Sequence, residues 1–440
     1  MPIRPLLIAI AASALSAQTP PTVQPAKEPP KEVAGIPVNY DEARTGSYTL
    51  PDPLKLSNGK RVKNAKTWNS KRRPEIVKMF EENQFGRTPG RPADMSFEVF
   101  EKGTPALDGK AIRRQVTVYF SKDKSGPKMD LLLYVPARST KPMPVLLNLS
   151  FSANSSTIDD PGIKPGEIWG RDKKRVPAPA GRAIGRFNPV PFLDDGFAVA
   201  TVYYGDIDPD FDGGVSFGVR KLYLKAGQAE PAPEEWGSIS AWAWGLSRAM
   251  DYLETDKEVD SKKVAIVGIS RLGKTVLWAG AHDERFAMVI ASCSGEGGAA
   301  VSRRDYGEKV KHLNARFGYQ FATNYKKHGD HVDQMPVDAN MLVSLIAPRP
   351  LFFTNRGYGF VVRSKGRISG CRGCCAGVST AGKTGLGYGQ AACPRATHFP
   401  HHGVCNACRR AWNCSRRLGS VPAIHDAALQ VNYFAGALNA

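Results

Sequence analysis

Cysteine is scarce in most of this chain. Cys293 stands alone in the first 370 residues, and the other seven cysteines lie between Cys371 and Cys414. A disulfide framework therefore cannot hold the body of the protein together. Long apolar runs are also missing. After the N-terminus no stretch approaches the roughly 18 residues that a membrane-spanning helix needs, so stable membrane insertion is not expected. No internal repeat is visible. Acidic residues are missing from one place only: from Arg356 to Ala440 there are 11 Lys/Arg and a single acid, Asp426. That segment holds +10 of the formal net charge of +19. A basic chain would ordinarily suggest a polyanion partner. Here the excess sits in one segment, the body is only mildly basic, and nucleic acid is not an expected partner.

The remainder is ordinary for a globular protein: 440 residues, 42% of them hydrophobic, enough for one large domain or two smaller ones. Arg4 precedes the apolar run Leu6 to Ala12, and the small residues Ser13, Ala14, Ser16 and Ala17 follow. This is the order of a signal peptide over residues 1–17, which predicts a secreted or periplasmic protein. A short buried helix is the plainer alternative. Residues 18–38 are rich in Pro, Lys and Glu and read as a flexible tether.

Arg73 to Gln84 has helical apolar spacing, with Ile76, Val77, Met79 and Phe80 on one face. Gln115 to Ser121 and Met129 to Val135 flank a run of turn residues and predict a hairpin. Five short apolar runs follow: Pro144 to Phe151, Phe197 to Tyr204, Val264 to Val267, Phe286 to Ala291 and Leu351 to Phe353. Such runs fit strands buried on both faces of a parallel sheet. The stretches Ser238 to Thr255 and Lys274 to His282 read as helices between them. A hairpin followed by β-α alternation predicts an α/β-hydrolase three-layer sandwich with a mostly parallel sheet.

One segment carries two motifs. Gly268-Ile269-Ser270-Arg271-Leu272-Gly273 places Ser270 between small residues, after a strand and before a helix. A nucleophile elbow needs that arrangement, because the turn is tight and the hydroxyl must emerge at a helix N-terminus. The second glycine is three residues after the serine rather than two. Gly268 to Thr275 also matches Gly-x-x-x-x-Gly-Lys-Thr, the phosphate loop of nucleotide hydrolases. That reading requires a neighbouring strand ending in Asp for magnesium, whereas the next apolar run ends Ser292-Cys293-Ser294. A turn with no catalytic role is the third reading.

Ser270-Arg271-Leu272-Gly273-Lys274 resembles the core motif of the glucuronoyl esterases, hydrolases of glucuronate esters that join xylan to lignin. Tyr203 to Pro209, Trp236 to Gly245, Ser294 to Ala299, Pro336 to Asp338 and Ala347 to Pro350 support the likeness, which runs from about Asn39 to Asn355. The resemblance implies a single esterase domain over residues 39–355, acting as a monomer without cofactor or metal on glucuronate-bearing xylan or lignin–carbohydrate esters. It implies Ser270 as nucleophile, Arg271 as an oxyanion donor, and Lys274 and Glu308 as contacts to the uronate hydroxyls. For Arg271 and Lys274 the plain alternative is a solvated helix start, which two cations at a helix N-terminus disfavour. One position departs. Cys293 stands where the family often has its catalytic acid, and a thiol cannot orient a histidine as a carboxylate does. Some bacterial members of the family use an acid after the next strand instead, and Glu296, in a Gly-rich turn, is a weaker candidate.

After Asn355 the resemblance stops. The family's later Asp, Trp and Gly-x-His are absent, and the segment 356–440 is rich in Arg, Gly, Cys and Ala. A GC-rich gene read out of frame produces such a composition. Codons for Val361 to Ile368 can be chosen so that a shifted frame reads Trp-Ser-Asp-Pro-Lys-Gly-Glu-Phe, and those for Arg409 to Trp412 can hide Gly-Gly-His-Gly. The expectation is a frameshifted, poorly ordered tail, a sheet lacking its last strand and helix, and an esterase impaired by loss of its histidine. A zinc module built on Cys393, His398, His401, His402, Cys405 and Cys408 is one competing reading of the tail. A disulfide-rich domain is another. A non-catalytic glucuronate-binding protein is the competing function.

Overall fold

The computed structural model describes residues 29–179, 186–355, 358–362 and 368–369. The expected signal peptide, most of the tether and nearly all of the tail lie outside these residues.

One ten-stranded sheet organises the chain. Its strands are β1 (Ser96–Ala106), β2 (Ala111–Tyr119), β3 (Lys128–Pro136), β4 (Met143–Ser150) and β5 (Ala198–Tyr203). They continue with β6 (Val259–Ile269), β7 (Met288–Ser292), β8 (Leu351–Asn355), β9 (Tyr358–Val362) and β10 (Ile368–Ser369). The spatial order is β1-β2-β3-β5-β4-β6-β7-β8-β9-β10. The centre, β5-β4-β6-β7-β8, is wholly parallel, and β1 to β3 form an antiparallel flank. All eight residues of β4 are buried, as a strand covered on both faces requires. The alternation of side chains divides the core: Val145, Leu147 and Leu149 join one apolar cluster, and Leu146 joins the other.

The larger cluster lies beneath α1 (Arg73–Phe80), α2 (Ser238–Leu253) and α3 (Arg271–His282). Helix α2 is buried on nearly every side, so its sequence is apolar beyond one stripe. Two further helices, α4 (Val310–Phe317) and α5 (Ala339–Ser344), complete that face. Arg349 anchors the loop before β8 by donating to the carbonyls of Gly280, Asp283 and Phe286.

The structure differs from the sequence expectation at three places. The last part of the expected tether forms a hairpin, Glu32–Val33 against Ile36–Pro37, because Ala34 and Gly35 both take the left-handed conformation that a tight turn needs. His312 on α4 meets the Ile36 carbonyl at 3.3 Å. Strand β1 was not foreseen; it is a mostly exposed edge strand with scattered charges and offers little apolar signal. Beyond Asn355 the sheet is continued antiparallel by β9 and β10, where the expectation had no strand. No further parallel strand follows among the described residues.

Candidate active site

Strand β6 ends at Ile269 and α3 begins at Arg271, so Ser270 alone makes the turn. Its φ of 59° and ψ of −124° are strained for a residue with a Cβ. Two backbone bonds fix it: Ser270 N–H donates to Ser292 O at 2.8 Å, and Lys274 N–H donates to Ser270 O at 3.0 Å. The flanking glycines are steric requirements. A Cβ on Gly268 would stand 2.3 Å from Leu272 O, and one on Gly273 would stand 2.5 Å from Ser292 O. Gly273 therefore serves where α3 crosses the end of β7, which accounts for its three-residue spacing from the serine. The Ser270 side chain caps nothing, and the first amides of α3 have no intrahelical partner.

The same geometry excludes the phosphate-loop reading. A phosphate loop keeps its amides and lysine open to the ligand. Here the helix starts inside the motif, Thr275 Oγ1 donates to Arg271 O at 2.9 Å, and Thr275 is wholly buried.

Arg271 leaves the helix beside Ser270 and pairs with the Asp210 carboxylate. Its guanidinium lies 5.3 Å from the Phe317 ring and 6.0 Å from the Phe151 ring. Burial opposes its charge, but Asp210, with Tyr204 and Tyr319, outweighs burial and holds the guanidinium above its ordinary range. Asp210 also accepts from Tyr204 Oη at 3.1 Å, Tyr319 Oη at 3.0 Å and Gln320 Nε2 at 2.6 Å. The loop that carries Asp210 is pinned by Asp208, whose carboxylate takes Arg220 Nε at 3.0 Å and Ser238 Oγ at 2.9 Å at the start of α2.

Lys274 is one turn further along α3 and nearly buried. Burial lowers its pKa, and the carboxylates of Glu308 and Glu296 partly offset that. Glu308 is half exposed, 3.7 Å from Arg316. Glu296 is 4% exposed. Burial, with the Asp338 carboxylate adding to it, pushes its pKa up to about 7, against a hydrogen bond from Ser302 Oγ at 2.5 Å, an amide bond from Gly297 and the charge of Lys274. Ser270, Arg271 and Lys274 thus lie at the start of one helix, and the charges of Glu308 and Glu296 act on the lysine.

Cys293 follows β7 in a left-handed conformation with an exposed thiol, which accepts from Ser292 Oγ at 3.8 Å. The described histidines are placed elsewhere. His282 ends α3, about 18 Å along the helix from Ser270, and pairs with Glu81 at 3.0 Å. His312 accepts the Lys309 amide, His328 meets Asn83 Oδ1 at 3.2 Å, and the fourth described histidine, His331, donates its amide to His328 O at 3.3 Å. His398, His401, His402 and His425 lie outside the described residues, as does the Cys/His set of the zinc reading. Sequence reasoning missed Asp210, Tyr204, Tyr319 and Gln320. Asp210 follows directly on the quoted segment Tyr203 to Pro209, but its pairing spans 61 positions.

A parallel-centred hydrolase sheet, a serine on a strained elbow and a guanidinium beside it define a serine ester hydrolase site. The comparisons narrow the class. The family profile "Glucuronyl esterase, fungi" matches residues 221–380, so the resemblance does not stop at Asn355 as the sequence reading expected but continues to residue 380. A carbohydrate esterase, MZ0003, from an unidentified prokaryote is 45% identical over 325 residues, covering 72% of this chain and 75% of that protein. The solved glucuronoyl esterase from Solibacter usitatus is 48% identical with a TM-score of 0.67, covering 71% of this chain and 80% of that one. The 4-O-methyl-glucuronoyl methylesterase of Hypocrea jecorina is 29% identical, covering 70% of this chain and 59% of its own length. The chain belongs to the glucuronoyl esterase family.

Proposed function

We propose that the chain is a hydrolase of glucuronate esters, with Ser270 as nucleophile. Ser270 Oγ attacks the ester carbonyl, and the alcohol leaves as the acyl-enzyme forms. Water then releases glucuronate and restores the serine. Arg271 and the first amides of α3 receive the oxyanion, and Lys274 and Glu308 hold the uronate hydroxyls. The observation that carries the reading is the strained Ser270 at the start of α3, with Arg271 fixed beside it. The substrate is the glucuronate ester of xylan or of a lignin–carbohydrate link, and the protein acts as a secreted or periplasmic monomer.

A serine needs a base, and among the described residues no histidine bonds to Ser270. We therefore read the segment 356–440 as out of frame, with the triad histidine encoded in the alternative frame at Arg409 to Trp412. On this reading the chain as it stands turns over barely or not at all. The placement of the described histidines also favours, as second reading, a protein that binds glucuronate without hydrolysing it. Hydrolysis of methyl glucuronate separates the two. Activity lost on Ser270→Ala supports the esterase, and binding without turnover in a frame-restored chain selects the binder.

A further inference from the structure

The Asp210 cluster has no part in the chemistry described above. Its carboxylate takes three neutral donors, Tyr204 Oη, Tyr319 Oη and Gln320 Nε2, besides the Arg271 guanidinium. Those donors come from two separate parts of the chain, the turn after β5 and the segment after α4. The Asp210 side chain is 6% exposed and that of Arg271 is 31% exposed. The negative charge is therefore the more deeply buried of the two, and the cation keeps an exposed flank. Among the described residues no second carboxylate pairs with Arg271, and its guanidinium lies near the rings of Phe151 and Phe317. A guanidinium has five N–H donors, and the bond to Asp210 uses only one of its nitrogens, so donors remain for a ligand.

An ester hydrolase that releases an acid faces a difficulty of charge. Substrate and product differ at the carbon held against the nucleophile: the ester there is neutral and the released carboxylate is a permanent anion. An unbalanced cation would attract the product strongly. Oriented donors of small net charge still stabilise an oxyanion that forms at the right place, because preorganisation rather than total charge does that work. We infer that Asp210 is a positioning and charge-balancing residue, which fixes Arg271 beside Ser270 and makes the site favour the reacting ester over the uronate anion. The inference rests on the reading of Ser270 and Arg271 given above.

Binding tests it without turnover, on the full chain. Affinities for glucuronate and for its methyl ester are measured at pH 7 by calorimetry. The unmodified chain binds the ester at least as well as the acid. Asp210→Asn keeps the shape and removes the charge. It tightens glucuronate by about tenfold or more and leaves the methyl ester within about twofold. A merely structural role would weaken both ligands together, and that result, or an unchanged acid-to-ester ratio, overturns the inference. If Asp210→Asn does not fold, Arg271→Met carries the test. With Asp210 then uncompensated, the acid must weaken by about tenfold while the ester changes about twofold, and equal changes overturn the inference. If the unmodified chain binds neither ligand, the proposed function fails and this inference with it. If it binds both and the ratio does not move, this inference alone falls.

Discussion

Glu296 is a buried carboxyl whose pKa is raised by burial from 4.5 to about 7. In the unfolded chain it loses its proton near pH 4.5. In the fold it keeps the proton until about pH 7. Between those values the native state binds more protons than the unfolded state, so stability falls as pH rises through that window and levels off above it. Each pH unit of the window costs about 1.4 kcal/mol, which gives a loss of about 3 kcal/mol between pH 4.5 and pH 7. Glu296→Gln removes the titration and retains an acceptor for Ser302 Oγ and the Gly297 amide. Urea unfolding of both proteins at pH 5 and pH 8 measures the effect. Glu296→Gln is expected to lose about 2–3 kcal/mol less than the parent on going from pH 5 to pH 8. Equal pH dependence in the two proteins would refute the argument and show that Glu296 is ionised in the fold, held by Lys274.

Three further outcomes follow from the geometry. Gly273→Ala drives a Cβ to 2.5 Å from Ser292 O, a backbone atom that cannot move aside, and should cost about 1–3 kcal/mol in denaturant unfolding. Arg220→Met leaves the Asp208 carboxylate buried without its cation; about 3–5 kcal/mol should be lost, with a clear fall in melting temperature. Trp242→Phe removes the indole bond to Asp208 O at 2.7 Å and should cost about 1–2 kcal/mol, again read from unfolding.

The parallel centre of the sheet was legible because burial on both faces forces uninterrupted apolar runs, and β4 to β8 all carry them. The hairpin of β2 and β3 was legible from its turn residues. The elbow was legible because a one-residue turn from strand to helix tolerates only small neighbours, and Gly268 and Gly273 provide them. What sequence could not show is what long-range packing creates. Asp210 acquires its role by meeting Arg271, Tyr319 and Gln320, all remote in sequence. Glu296 looked like a weak candidate for a triad acid, yet it lies buried between Ser302 and Lys274. Strand β1 was missed because an exposed edge needs no apolar run, and the hairpin at Glu32–Pro37 because a Pro-, Lys- and Glu-rich stretch resembles a tether until His312 receives it.

We propose that this chain holds an esterase site with Ser270 as nucleophile and that the histidine activating it is encoded out of the written frame. The most direct measurement is hydrolysis of methyl glucuronate by three proteins: the chain as it stands, a version with the frame restored after Asn355, and that version with Ser270→Ala. Loss of a triad base typically removes about 10⁴–10⁶ in turnover. The account predicts rapid hydrolysis by the restored protein alone, with the other two slower by about that factor. Equal rates for the written and restored chains, or undiminished activity after Ser270→Ala, would contradict it.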